Sequence, residues 1–293
     1  MKKHRFYITD VFTNQAFGGN QLAVFPEAST IEEVNFQKIA REINFSETTF
    51  VLPPTHSEAD FKLRIFTPFT ELPMAGHPTI GTSFVLKKNG LIQKNNIIIE
   101  EGVGNIPVVY EGDRIWMNQL VPQFKSTFDD LRLLSKLLSL DESDISSIVT
   151  PQVVSCGVNV FIIMLNSLKA VEKTKLNLDL YENILKTINT NNIMVFTTES
   201  EYSDSSAHSR FFAPALGINE DPATGGAAGP LACLIVQHNL AQSNKLLKLE
   251  QGFKMGRPSI LYAYIEKTEG TIKAVRVGGE SVLIAEGNFY LYK

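Results

Sequence analysis

The chain has 293 residues and a formal net charge of −4, which leaves no basic footprint for nucleic acid. No stretch approaches the about 18 consecutive apolar residues of a membrane span, and Asp10 cuts the first apolar run, so the N-terminus reads as a strand and not a signal peptide. The two cysteines, Cys156 and Cys233, lack metal-ligand spacing; they argue against a zinc site or a disulfide framework and for a reducing cytoplasm.

In chain order, "FYITDVF" and "QLAVFP" read as strands split by "TNQAFGGN", whose glycines supply a turn or a close backbone approach. Thr30-Ile31-Glu32-Glu33 predicts a capping box opening a helix that runs to about Ile43. "TTFVLPP" and "FKLRIFTP" alternate as strands do. Pro78 suits a first helical turn and Gly90 a C-terminal cap, so the segment after His77 reads as a helix. "IIIEE", "IPVVYEG" and "RIWMNQL" are short strands. Near Val121 the texture changes: "TFDDLRLLSKLLSL" and "DESDISSI" read as helical, with Thr127 and Asp141 as caps. Strands follow in "PQVVSCGVNVFIIML", "NIMVFTT" and "SRFFAP", then a helix from Pro222 to about Asn239 that Gly229-Pro230 should bend, then β texture to the end. His208, in "TTESEYSDSSAHSRF", reads as a solvated loop histidine. "QGFKMGRPS" reads as a tight turn with Arg257 in a structural role. "GVGN" at 102–105 is a poor dinucleotide fingerprint, lacking its third glycine and its helix.

Two segments share a frame. "RIFTPFTELPMAGHPTIG" starts at Arg64 and "RFFAPALGINEDPATGG" at Arg210, about 145 residues later. Each begins Arg-x-Phe-x-Pro and reaches a polar residue, a proline, two residues and a glycine, with His77 in one copy and Asp221 in the other. The expectation is two pseudo-symmetric halves with an active-site cleft between them: residues 1–120, joined by a C-terminal strand near 283–293, and residues 121–282. Both helices are apolar nearly all round, which marks them as buried, each within a curled sheet.

Helix N-termini carry free N–H groups and the positive dipole end, so they bind carboxylates. Gly76 in one half and Gly225-Gly226 in the other would let a small anionic substrate, or a developing enolate, approach the backbone. Glu47 reads in two ways, as a general acid/base whose affinity for protons rises in an apolar pocket or as a surface loop carboxylate. His77 and Asp221 read equally as helix-start residues.

Together "DVFTNQAFGGNQLAVFP", "NFSETTFVLPP", "FTPFTELPMAGHPTIGTSFVL", "EDPATGGAAGPL" and "QGFKMGRPS" resemble the phenazine-biosynthesis (PhzF-like) isomerase family, in order and over nearly the whole chain. The resemblance implies an α/β (α+β) fold like that of diaminopimelate epimerase: two related halves, each a mixed sheet or barrel around a central helix. It implies cofactor-independent proton transfer on a small carboxylate, with no metal. It places the catalytic roles on Glu47, His77 and Asp221, and substrate binding on Asn20, Ser46, Gly76, Gly225 and Gly226. It also favours a homodimer, while the charge and the lack of a long apolar run lead to the expectation of no nucleic-acid or membrane partner. Two departures stand out. Gln21 replaces the proline usual after Gly-Asn, and Gly226 stands where the phenazine-pathway members carry serine, which weakens the case for the phenazine intermediate as substrate. Two alternatives remain: a metabolite-binding protein without catalysis on the same fold, and a two-cysteine amino-acid racemase. The racemase would need cysteines at both helix starts, where this chain has none.

Overall fold

A computed structural model describes residues 1–292. It divides into two compact units, Met1–Asn118 with Gly278–Lys293, and Gln119–Val277.

The first unit contains β1 (Lys2–Val11), β2 (Asn20–Phe25), α1 (Phe36–Ile43), β3 (Glu47–Leu52), β4 (Phe61–Phe66), β5 (Glu71–Leu72), α2 (Gly76–Lys88), β6 (Asn96–Glu101), β7 (Gly104–Glu111) and β8 (Arg114–Gln119). Its sheet pairs β1–β2 antiparallel, β2–β3 parallel, β3–β4 antiparallel, β4–β6 parallel and β6–β7 antiparallel. The second unit contains β9 (Gln123–Thr127), α3 (Leu131–Leu138), β10 (Gln152–Ser155), β11 (Asn159–Met164), α4 (Leu168–Lys173), α5 (Leu178–Ile188), β12 (Ile193–Thr197), β13 (Ala207–Ala213), β14 (Ile218–Asp221), α6 (Gly225–Gln237), β15 (Leu246–Gln251), β16 (Ser259–Thr268) and β17 (Thr271–Gly279). The pairs β10–β11, β11–β12, β12–β13, β13–β15 and β15–β16 run antiparallel, parallel, antiparallel, parallel, antiparallel. The order of senses is the same, so the repeated frame in the sequence corresponds to a repeated topology. The last strand, β18 (Ser281–Leu291), pairs antiparallel with β1 in the first unit.

Each sheet packs on a buried helix. α2 lies against β1, β2, β3 and β18, and α6 against β10, β11 and β16. A helix surrounded by sheet needs apolar or small residues on every side, and the first eight residues of α2 are all buried. Gly81 is small of necessity: a Cβ there would stand 2.5 Å from Val11 Cγ2 and 2.7 Å from Leu22 Cδ2. The outer layers differ. In the first unit α1 covers an aromatic cluster in which Phe36 and Phe50 stack at 4.2 Å. In the second, α3, α4 and α5 cover an aliphatic cluster that includes Leu134, Val171 and Ile184.

Several local expectations are corrected. Thr30 opens no helix; it ends a short 3-10 turn, its hydroxyl lies 3.2 Å from His4 Nδ1, and α1 starts only at Phe36. Asp130, not Thr127, caps α3, accepting from the Leu133 amide. Asp141 caps only a 3-10 turn, through a complete capping box with Asp144. Two helices, α4 and α5, add to the elements expected from the sequence. No helix of the described residues is long and apolar enough to cross a membrane.

Candidate active site

The site of the first unit is built where three elements begin. β2 begins at Asn20, which follows Gly19 in a left-handed turn (φ +62). A Cβ on Gly19 would lie 2.3 Å from the Val11 carbonyl oxygen, so glycine is required for the chain to turn here. α1 ends at Asn44, also left-handed (φ 58), whose amide donates to the Ala40 carbonyl, and three residues later Glu47 opens β3 opposite Leu22. α2 begins at Gly76 after the extended Ala75, putting His77 second in the helix.

These starts bring together four of the residues expected from sequence. Ser46 Oγ donates to Asn20 Oδ1 at 2.9 Å. Asn20 Nδ2 lies 3.3 Å from His77 Nδ1, and His77 Nε2 lies 3.2 Å from Glu47 Oε2. With the ring proton on Nε2, the Asn20 amide donates to Nδ1 and the ring N–H faces Glu47. Burial holds the His77 ring down to about 3, and the Gln21 carbonyl, which favours the protonated ring, offsets only part of that. The ring is therefore neutral at physiological pH, and its contact with Glu47 is not an ion pair. Glu47 is 6% exposed. Its carboxyl is taken from water, and the histidine beside it is neutral. Glu47 as a surface loop carboxylate is thus overturned.

Behind the start of α2, Thr79 Oγ1 lies 2.7 Å from the Ala75 carbonyl oxygen and 2.5 Å from Glu101 Oε1. Sequence reasoning missed this pair. Burial pushes the Glu101 carboxyl up to about 8, with the Thr79 contact a smaller effect in the other direction. The neighbouring Glu100 is different. Burial opposes its charge too, but the Thr55 hydroxyl and amide, Lys62 and the His56 amide hold it down to about 2.

In the second unit, Asp221 ends β14 and is not the cap of α6, which is Thr224. The helix thus starts at Gly225, not at Pro222. Asp221 Oδ2 accepts from Thr224 Oγ1 at 2.5 Å, while Gln251 Nε2 donates to the Asp221 carbonyl at 2.7 Å and to Thr224 Oγ1 at 3.0 Å. Gly225 gives its carbonyl to Gln119 Nε2. An added Cβ at Gly226 would meet only Val158 Cγ2, at 3.8 Å. The glycine-rich start is therefore open at Gly226 itself.

His208 is corrected. It lies in β13, 2% exposed, with Nδ1 2.8 Å from Glu250 Oε2. The repeated arginines also find their reason: Arg64 and Arg210 each clasp a glutamate of the next short strand with two nitrogens, Glu71 and Glu220. The two cysteines are free and buried with their sulfurs 3.9 Å apart, Cys233 in the third turn of α6. Contact with the Cys156 thiol and burial both push the Cys233 thiol up, opposite to what a thiolate base needs.

A family model described as phenazine biosynthesis-like protein (PhzC-PhzF) matches residues 9–287. The chain belongs to this family. It is 34% identical over 300 residues to an uncharacterised isomerase of Clostridium acetobutylicum, covering 99% of each chain. It is 32% identical over 299 residues to the trans-2,3-dihydro-3-hydroxyanthranilate isomerase of Pseudomonas aeruginosa, covering 98% of this chain and all of that one. Among solved structures, a PhzF-family phenazine biosynthesis protein of Bacillus anthracis superposes with a TM-score of 0.92 at 26% identity, covering 99% of this chain and all of the other. A hydroxyproline epimerase of Agrobacterium vitis shares the fold, with a TM-score of 0.64 at 11% identity over 98% of this chain and 92% of its own. The chain is thus a PhzF-family isomerase with an epimerase-like fold.

Proposed function

We propose that this isomerase moves a carbon-bound proton on a small carboxylate, with Glu47 as the general acid/base. The observation that carries the reading is the buried Glu47 carboxyl 3.2 Å from a neutral His77 ring at the start of α2. A base that must take a proton from carbon and return it works best when neither protonation state is strongly favoured, and burial moves a carboxyl in that direction. His77, neutral and oriented by the Asn20–Ser46 chain, would donate a hydrogen bond without competing for the proton. The amides at Gly76 would receive the substrate's anionic charge. In the second unit, Gly225 and Gly226 offer the same kind of helix start, and Asp221, fixed by Thr224, would orient the substrate.

The P. aeruginosa relative acts on a cyclic amino acid, trans-2,3-dihydro-3-hydroxyanthranilate. For this chain we propose the broader class of amino and cyclic carboxylates, because the serine of the phenazine-pathway members is glycine here. The reaction needs no cofactor in this reading, and we propose a homodimer as the assembly, to be read by light scattering. The deciding experiment incubates wild type and Glu47→Gln with trans-2,3-dihydro-3-hydroxyanthranilate and a panel of small carboxylates in D2O. Deuterium is then read by mass spectrometry. Label with wild type alone is the expected result; equal label with both variants removes Glu47 as the base.

A further inference from the structure

The hydroxyl of Thr79 has one proton and two acceptors in reach, the Ala75 carbonyl at 2.7 Å and Glu101 Oε1 at 2.5 Å. The Ala75 carbonyl also receives the Thr79 amide, at 3.3 Å. If Glu101 is ionised, it can only accept, so it draws the Thr79 proton and leaves Ala75 with the long amide contact alone. If Glu101 is protonated, it donates to Thr79, which donates on to Ala75, and every proton has a place. Two further observations select the protonated form. Glu101 is 5% exposed and its Oε2 has no hydrogen-bond partner among the described residues, a state far more costly for a carboxylate than for a carboxylic acid. The second unit also has a neutral group at the same position. β15 and its following residue read Glu250-Gln251-Gly252, as β6 and its following residue read Glu100-Glu101-Gly102, and Gln251 donates to Thr224 at the start of α6. A protonated glutamic acid and a glutamine have the same shape, and each donates from its end.

We propose that Glu101 is a positioning residue that holds the start of α2 through Thr79 and Ala75 while protonated, and releases it on losing its proton, which makes the catalytic helix start sensitive to alkaline pH. The burial that pushes its carboxyl up to about 8 sets the range. The charged groups around it do not reverse this. Glu33, His56, Lys62, Arg64, Glu71 and Glu100 line the same surface cavity of about 1080 Å³ as Glu101. Arg64 is engaged by Glu71 and Glu33, Lys62 by Glu100, and the His56 amide by Glu100. On α2, His77 is neutral throughout this range.

The effect on catalysis rests on the function proposed above; the ionisation and its coupling to α2 do not, and are read without substrate. In carbon-13 and nitrogen-15 labelled protein, the Glu101 carboxyl and the Gly76 and His77 amides are followed by NMR from pH 5 to 10. The expected result is a carboxyl midpoint near 8 with both amides shifting at the same midpoint. Glu101→Gln should leave those amides still across that range. Thr79→Val should leave the carboxyl titrating while uncoupling the amides. A carboxyl midpoint below about 6, or amides that ignore the carboxyl, overturns the proposal, as does an amide titration that survives Glu101→Gln. Where the deuterium assay finds a substrate, wild-type exchange should fall about tenfold per pH unit well above the midpoint, and Glu101→Gln should lose that fall. An identical alkaline fall in both would overturn the link to catalysis while leaving Glu47 as the base.

Discussion

The two units use one topology and differ most where their chemistry begins. β2 and β11 both open with asparagine, and the third residue of each faces the first residue of the next strand in parallel register. In the first unit that facing pair is Leu22 and Glu47; in the second it is Phe161 and Ile193. Asn20 reaches inward to His77, whereas Asn159 is held near the surface by Lys125 and the Asn189 carbonyl. The frame was duplicated, then, but only the first copy carries a carboxyl at this strand start. The second copy keeps an anion-receptive helix start and a fixed aspartate. The difference teaches that two copies of one frame diverge in chemical character through few substitutions when both already supply the helix end.

The strongest break of this comparison removes the carboxyl that the second unit lacks at its strand start. Glu47→Gln should lower deuterium exchange by about 10²–10⁴-fold, the range for loss of a general acid/base. Asn159→Ala, at the matching position of the other unit, should change the rate by less than about threefold. A comparable loss in both variants would mean that the asparagine starts, and not the glutamate, carry the asymmetry.

The next effect concerns stability. Arg210 is buried, clasps Glu220 and donates to three backbone carbonyls, while Arg64 sits nearer solvent between Glu71 and Glu33. Removing one partner of a buried pair strands the other, at a cost of about 3–5 kcal/mol, against about 1 kcal/mol for an exposed pair. Urea unfolding should therefore show Arg210→Gln far below Arg64→Gln. Equal losses would mean the two motifs do the same work in both units.

The starts of α2 and α6 also differ in what can titrate. His77 is the second residue of α2 where α6 has Gly226, and Glu101 ends β6 where Gln251 ends β15. His77 is neutral in the folded chain down to about 3 but protonates near 6.5 when unfolded, so its contribution is lost as pH falls through that interval. Glu101 stays protonated up to about 8 when folded but ionises near 4.5 when unfolded, so stability is lost as pH rises between those values and then levels. Each slope is at most about 1.4 kcal/mol per pH unit. Thermal melts should show Glu101→Gln gaining on wild type from pH 5 to 8, and His77→Gln gaining on wild type from pH 6.5 down to 4. Parallel curves for wild type and Glu101→Gln would mean that the carboxyl titrates at its ordinary value.

Much of this was legible in the sequence, for physical reasons that also explain the gaps. Glycine at a forced turn, apolar helices and a duplicated Arg-x-Phe-x-Pro leave local marks that bring out the repeated frame with His77 and Asp221; Glu47 stays open between two readings on its own, and its role and that of Asn20 come from the family resemblance. His208 was misread because all seven residues of β13 are buried, and a strand covered on both faces has no alternation to find. α5 carried a signal that was passed over, with Tyr181, Ile184 and Ile188 at helical intervals. Thr30 obeyed a capping pattern until a tertiary partner, His4, claimed its hydroxyl. Glu101 was missed because a glutamate pair at a strand end looks like ordinary surface charge. The clue lay in comparing "EEG" at 100–102 with "EQG" at 250–252, where the amide in one copy marks the need for a neutral donor in the other.

The smallest expected effect tests what Gly226 does for substrate choice. Space is not the constraint, since a Cβ there meets nothing nearer than Val158 at 3.8 Å. Gly226 is the second residue of α6, where a serine side chain costs little and its hydroxyl can add a hydrogen-bond donor beside the free amides. One such bond is worth about 0.5–1.5 kcal/mol net, or roughly two- to twelvefold in affinity. Gly226→Ser should therefore leave melting within about 1 °C of wild type and lower KM for trans-2,3-dihydro-3-hydroxyanthranilate by that factor, with kcat nearly unchanged. A fall in kcat instead would place the hydroxyl against the reacting atoms, and no change in either would mean that the second unit's helix start does not touch this substrate's ring.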